Sequence, residues 1–230
     1  MTSTLSPGKL LFMVLYLALW PVLVLALAGD WRWVAGWIFN IWFVSVCVTT
    51  VTWLFLRDPA LLAERFRRPG TGGESRGDRL IVYALVVGFI AWIVLMPLDA
   101  KRFHWTRALP LPFNVLGGAF LVLAWGFMVR SFTDNPFLSP LVRIQTERGH
   151  RVVTTGVYGL VRHPMYLAAV LMFVGAPLLT GSILALIAGA LLTLLLAVRI
   201  VGEEQLLIVD LPGYDEYRHR VQYRLVPFIW

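Results

Sequence analysis

Apolar residues fall into six blocks separated by polar stretches: Leu10–Ala28, Val34–Leu56, Leu80–Leu98, Leu109–Val129, Met165–Leu179 and Ile183–Val201. At 1.5 Å rise per residue, about 20 apolar residues cross a bilayer core as a helix. The pattern therefore predicts an all-α, polytopic membrane protein of about six transmembrane helices. The fifth block holds only 15 residues. A segment that short predicts a start inside a protein cavity rather than in lipid. Pro21 predicts a kink in the first block, which neighbouring helices accommodate. Thr180-Gly181-Ser182 joins the last two blocks into a C-terminal helical hairpin.

Two further stretches read as amphipathic helices that do not span. Asp58-Pro59 forms an N-cap and N1 pair, after which Leu61, Leu62 and Phe66 share one face; this predicts a helix lying on the bilayer surface. The run Pro69–Gly77 reads as a flexible link. Pro212-Gly213 breaks the chain, and Tyr214, Tyr217 and Val221 then recur at helical spacing. The blocks follow one another closely enough to predict one membrane domain over 1–230. Within it, 1–129 forms a scaffold of four spans that faces lipid and substrate, and 130–230 carries the chemistry.

Composition strengthens this reading: 59% of the 230 residues are hydrophobic and 14% are charged, more apolar surface than a soluble domain of this length can bury. The first block lacks a strongly basic leader and a small-residue cleavage site, which predicts a retained helix. The net charge of +7 is not accompanied by any nucleic-acid-binding motif, so no nucleic-acid partner is expected. The basic residues instead mark sidedness and meet membrane lipids: Lys9, the arginines of 57–79, those of 130–162 and those from Arg199 onward share one side. Arg32, Lys101, Arg102 and Arg107 fall on the other. Cytoplasmic N- and C-termini follow, with an even number of spans. Arginine greatly outnumbers lysine, which points to a GC-rich bacterial genome and hence an inner membrane. Cys47 stands alone, so neither a disulfide framework nor a metal site is expected.

The first four blocks contain no charged residue in their interiors, which argues against an ion or proton path through them. Polar groups with chemical potential gather in Gln145–Tyr166 and Arg199–Glu204. If the last two blocks fold back about Gly181, His163 and Arg199 lie equally far from the turn and at similar depth. Glu203 follows Arg199 by one turn on the same face. Arg162, His163, Tyr166, Arg199, Glu203 and Glu204 are therefore expected to converge at one mouth of the hairpin. Pro164 suits the first position of the fifth helix.

In order, the run from Gln145 through His150-Arg151-Val152-Val153-Thr154-Thr155-Gly156-Val157-Tyr158 to Arg162-His163-Pro164-Met165-Tyr166, then Arg199-x-x-x-Glu203-Glu204, then Gly213-Tyr214-x-x-Tyr217, resembles the signature of the isoprenylcysteine carboxyl methyltransferase family. The region is also similar to phospholipid methyltransferases and to bacterial membrane methyltransferases of small thiols. The resemblance implies S-adenosylmethionine as cofactor, held by Gln145, His150, Val153, Tyr158, His163, Pro164 and Tyr166 with Glu203 or Glu204. It implies Arg199 on the substrate side. His163 is the nearby group with an intermediate pKa, able to deprotonate a thiol or amine acceptor, whereas a carboxylate acceptor needs no base. The expected acceptor is a lipophilic small molecule or a lipid-linked one; oligomeric state is left open. A small transporter is one alternative, and a membrane reductase using NADPH, with a similar helical end, is another. No G-x-G-x-x-G strand–turn–helix unit is present, so a soluble-type nucleotide fold is not expected.

Overall fold

The computed structural model describes residues 7–230, without side-chain detail for 7, 9–14 and 16, so the sidedness assigned to Lys9 lies outside the described side chains. Among the described residues, eight α-helices follow in order: α1 (Pro7–Ala28), α2 (Val34–Arg57), α3 (Pro59–Arg65), α4 (Arg76–Pro97), α5 (Leu111–Asp134), α6 (Pro164–Thr180), α7 (Ile183–Asp210) and α8 (Tyr214–Arg220). A π-helical turn, Leu98–Arg102, extends α4, and short 3-10 turns occur at Thr146–Arg148 and Gly156–Gly159. There is no strand among the described residues. Among the described residues, four helices are long and apolar enough to cross a membrane: α2, α4 with its π turn, α5 and α7. The described part of α1 from Leu17 and the 17-residue α6 are apolar but shorter. The chain is an integral membrane protein.

Each boundary has a local cause. Asp58 caps α3 by accepting from the Leu61 N–H at 2.8 Å, as its position before Pro59 predicts. Ser75 caps α4 in the same way through the Asp78 N–H at 3.0 Å, so the link expected to run to Gly77 ends two residues earlier. Gly181 terminates α6 at φ +87°, a left-handed conformation open to glycine at no steric cost, and the chain reverses there into α7. α7 continues to Asp210, nine residues past the end of its apolar block, because Glu203 and Glu204 keep helical geometry while meeting polar partners. Its 28 residues are about 42 Å long at 1.5 Å each, well beyond a core of about 30 Å.

α6 is gripped between α5 and α7. A Cβ on Gly117 of α5 would fall 2.3 Å from the Leu179 backbone nitrogen and 2.6 Å from the Gly175 carbonyl oxygen. Backbones approach this closely only over small residues, the usual device for packing helices in lipid. An aromatic layer fills the centre: Trp20 stacks on Phe43 at 4.1 Å, and Trp92 meets Phe173 edge-on at 5.4 Å. Trp42 donates from Nε1 to the Leu121 carbonyl, which crosses α2 to α5.

α4 is fastened to α7 at both ends. At one end the buried Asp99 accepts from the Ser182 hydroxyl at 2.6 Å, the Leu184 N–H at 3.1 Å and both the N–H and hydroxyl of Thr106 at 2.8 Å. At the other, Asp78 receives Arg199 Nε at 2.9 Å. The apolar side of α3 packs on protein rather than on a bilayer surface: Leu61 and Leu62 are buried with Leu54 and Phe132.

Candidate active site

The hairpin geometry holds. Arg162 and His163 immediately precede α6, and Pro164 opens it without needing an N–H partner. The returning α7 places Glu204 against them. Arg162 donates to Glu204 from Nε at 2.6 Å and Nη2 at 3.2 Å, while His163 Nε2 lies 3.2 Å from Glu204 Oε1. Arg224 adds a third contact at 2.7 Å, and the Tyr214 hydroxyl a fourth at 3.5 Å. Arg162 also donates from Nη1 to the carbonyls of Val221 and Gln222. The tail is thereby drawn under the hairpin, where the N–H groups of Arg162 and His163 pair with the Tyr223 and Arg224 carbonyls, each at 2.9 Å.

Glu203, one position earlier and about 100° round the helix, points elsewhere. It accepts the Tyr166 hydroxyl at 2.8 Å and has no cationic partner among the described residues. It faces a cavity of about 570 Å³, within the roughly 300–1,000 Å³ usual for ligand sites. Of the sequence-predicted residues, His150, Val153, Tyr158, His163, Pro164, Tyr166, Arg199 and Glu203 line this cavity. Gln145 and Glu204 do not. Gln145 is fully buried, donating to the Phe137 carbonyl at 2.6 Å and accepting Arg148 at 2.8 Å.

The loop before α6 is built outward from α5. Asp134 accepts the Val157 N–H at 3.0 Å, and the Tyr217 hydroxyl donates to the Tyr158 carbonyl at 2.7 Å. Tyr158 is thus wedged between α5 and α8, and burial raises its phenol far above the usual value. Below it, Glu64 of α3 is gripped by Arg143 at 2.9 and 3.0 Å and by the Ser139 hydroxyl at 2.9 Å. Burial raises the Glu64 carboxyl, but these donors outweigh it and hold the group below its ordinary range. His150 packs at a tilt against Phe137, ring centres 4.7 Å apart, and its Nδ1 accepts the Gln145 N–H at 3.3 Å. That bond fixes the tautomer with the proton on Nε2. Burial, then the charges of Arg143 and Arg148, lower the pKa of His150 below its ordinary value.

Arg199 enters the cavity already compensated. Besides Asp78 it donates from Nη2 to the Pro140 carbonyl at 2.5 Å, and its guanidinium carbon lies 5.9 Å from the Tyr166 ring centre. The other half of the cavity is apolar. Val82, Leu85, Val86, Phe89 and Ile90 form a stripe along α4 facing Ala169, Phe173 and Leu196. Val86 and Ile90 are 51% and 57% exposed, so the cavity reaches the outer surface of the bundle between helices.

Sequence reasoning missed Asp78, Arg224 and Arg65, which also lines the cavity. Asp78 carried one readable signal, the Ser75-x-x-Asp78 spacing of a helix start. The other two reach the site through tertiary packing.

Fold and cavity together define a helical membrane protein whose ligand site is polar at one end and apolar at the other. Comparison with known sequences makes the class specific. Residues 138–209 match the sequence model of the Isoprenylcysteine carboxyl methyltransferase (ICMT) family, a range that includes most of the cavity's polar residues. The chain is also 30% identical over 157 residues to Protein-S-isoprenylcysteine O-methyltransferase B of Arabidopsis thaliana, covering 67% of this chain and 76% of that protein. The chain belongs to the isoprenylcysteine carboxyl methyltransferase family and is an S-adenosylmethionine-dependent membrane methyltransferase.

Proposed function

We propose that the polar end of the cavity binds S-adenosylmethionine and that the apolar end admits a lipophilic methyl acceptor, either a small molecule or a lipid-linked group such as the isoprenylcysteine that names the Arabidopsis relative. The observation that carries this reading is Glu203, a carboxylate facing the cavity without a cation, among His150, Val153, Tyr158 and Tyr166. A carboxylate so placed fits a ribose diol or an ammonium group, both of which the cofactor carries. His150, with its proton on Nε2, offers a donor. Gln145 and Glu204 serve as supports behind the site, holding His150 and the Arg162–His163 turn.

When bound, the cofactor supplies an electrophilic methyl group on its sulfonium. The protein's task is to align an acceptor with it and exclude water, and positioning alone supplies much of the rate in such transfers. Arg199 has Nη1 without a protein partner among the described residues, and this N–H group orients a polar acceptor head. For a thiol or amine acceptor, His163 donates Nε2–H to Glu204 and so takes the proton at Nδ1; a carboxylate acceptor needs no base. The exposed α4 stripe serves as the lipid-side entrance. The arginine distribution supports placing the polar end at the cytoplasmic face.

Transfer of labelled methyl from S-adenosylmethionine to a lipid extract tests the proposal. Wild-type protein is expected to label a lipid-soluble product, and Glu203→Ala and His163→Ala to lose that labelling. Solute flux in vesicles with no methyl transfer under any acceptor would overturn it.

A further inference from the structure

Five arginines line the cavity, and they are not equivalent. Arg143 and Arg162 are held by Glu64 and Glu204, and Arg151 is exposed to solvent. Arg199 is neutralised by Asp78 at 2.9 Å. Arg65, the last residue of α3, lines the same cavity and makes no hydrogen bond or ion pair with any described residue. What it does have is a ring: its guanidinium carbon sits 5.3 Å from the centre of Phe132. Stacking of this kind orients a guanidinium plane while leaving its N–H edge free. Arg65 is only partly exposed, and burial lowers its pKa, as expected for a cation placed against protein with nothing opposite it. Cations in such surroundings ordinarily have a partner.

Its setting is rigid on both sides. The preceding residue, Glu64, is held by Arg143 and Ser139, and Leu61 and Leu62 are sunk in the cluster beneath. α3 therefore presents Arg65 from a fixed base. The group is not a lipid-facing charge: its neighbour Arg67, 39% exposed, already occupies the outward direction and reaches back to Glu64 at 3.5 Å.

We infer that Arg65 is the carboxylate anchor of the cavity, forming a charge-assisted pair with a carboxylate of a bound ligand. This rests on the proposed methyltransferase site and deepens it, since two ligands there carry the required group: the amino-acid end of the cofactor, and an acidic acceptor. Glu203 and Arg65 are then uncompensated charges of opposite sign set back in one cavity, with the unpaired Arg151 exposed to solvent, a pairing suited to a zwitterion or to a diol and an acid.

The test uses the full chain in detergent or nanodiscs, as wild type, Arg65→Gln and Arg65→Lys. Binding is measured for S-adenosylhomocysteine and for 5′-methylthioadenosine, which shares the nucleoside and sulfur but lacks the amino-acid end. If the cofactor's carboxylate is the partner, Arg65→Gln weakens S-adenosylhomocysteine by about 10- to 100-fold, the range for a hydrogen-bonded charge, with 5′-methylthioadenosine unchanged and Arg65→Lys in between. If an acceptor's carboxylate is the partner, both affinities stay put and the KM for a lipophilic carboxylic acid rises by a similar factor while transfer to a lipophilic thiol is unaffected. Unchanged values throughout, or equal losses for all probes, would overturn the inference. Failure of wild-type protein to bind S-adenosylhomocysteine would instead overturn the methyltransferase site itself.

Discussion

Adjacent glutamates on α7 should fail in opposite ways when replaced. Glu204 holds Arg162, Arg224 and His163, and its loss strands Arg162, whose side chain is 6% exposed and keeps only carbonyl partners. Removing one member of a buried ion pair costs about 3–5 kcal/mol. Arg224 is 34% exposed and can turn toward water, so it adds little to that figure. At roughly 2–4 °C per kcal/mol for a chain of this size, Glu204→Ala should lower the unfolding midpoint by roughly 6–20 °C. Glu203→Ala removes one acceptor from the Tyr166 hydroxyl, about 0.5–1.5 kcal/mol, and should shift the midpoint by a few degrees at most. Its effect should appear instead as loss of S-adenosylhomocysteine binding. Tryptophan fluorescence on heating in detergent reads the first quantity, and titration calorimetry the second. A Glu204→Ala protein that melts with wild type, or a Glu203→Ala protein that binds with wild-type affinity, would refute the division of labour.

Asp78→Asn should leave Arg199 without its counter-charge and lower kcat by about ten-fold or more while changing S-adenosylhomocysteine affinity little, as steady-state kinetics beside calorimetry would read. Gly117→Ala places a methyl group inside the α5–α6 backbone contact and should cost about 1–3 kcal/mol, visible in thermal melts. For His150 the folded-state pKa is depressed, so the unfolded or opened loop takes the proton first. Its contribution is therefore complete above the ordinary value of 6.5 and is lost as pH falls from there through the lowered folded-state value. Cofactor affinity measured against pH should decline on that acid side, and a His150→Gln variant should show a flatter profile.

The hairpin cluster was legible because two antiparallel helices joined at Gly181 fix which residues share a depth, whatever surrounds them. The choice between Glu203 and Glu204 was not, since it depends on how α7 is rotated about its axis, which α4, α6 and the tail decide. Asp78 and Arg65 belong to the half of the chain that looked chemically inert. They reach the cavity because α4 lies against α7 and α3 tucks under α5, contacts that hydropathy does not encode. The apolar face of α3 illustrates the same ambiguity: its spacing suits a bilayer surface and a protein surface equally, and only Leu54 and Phe132 settle which. α7 outran its apolar block because helix geometry persists wherever side chains find partners, and four groups meet Glu204.

The turn at Gly181 makes the paired helices behave as a ruler. Inserting a single residue between Pro164 and Arg199 would slide one arm by about 1.5 Å and swing everything beyond it through about 100°. With the insertion in α7, Glu203 would take the place of Glu204 against Arg162, and Gly202 would stand where Glu203 had faced the cavity, leaving that face without its carboxylate. The segment Pro69–Gly73, by contrast, spaces nothing and can absorb extra residues. Length variation among descendants of this chain is thereby channelled away from the hairpin and into the link ahead of α4.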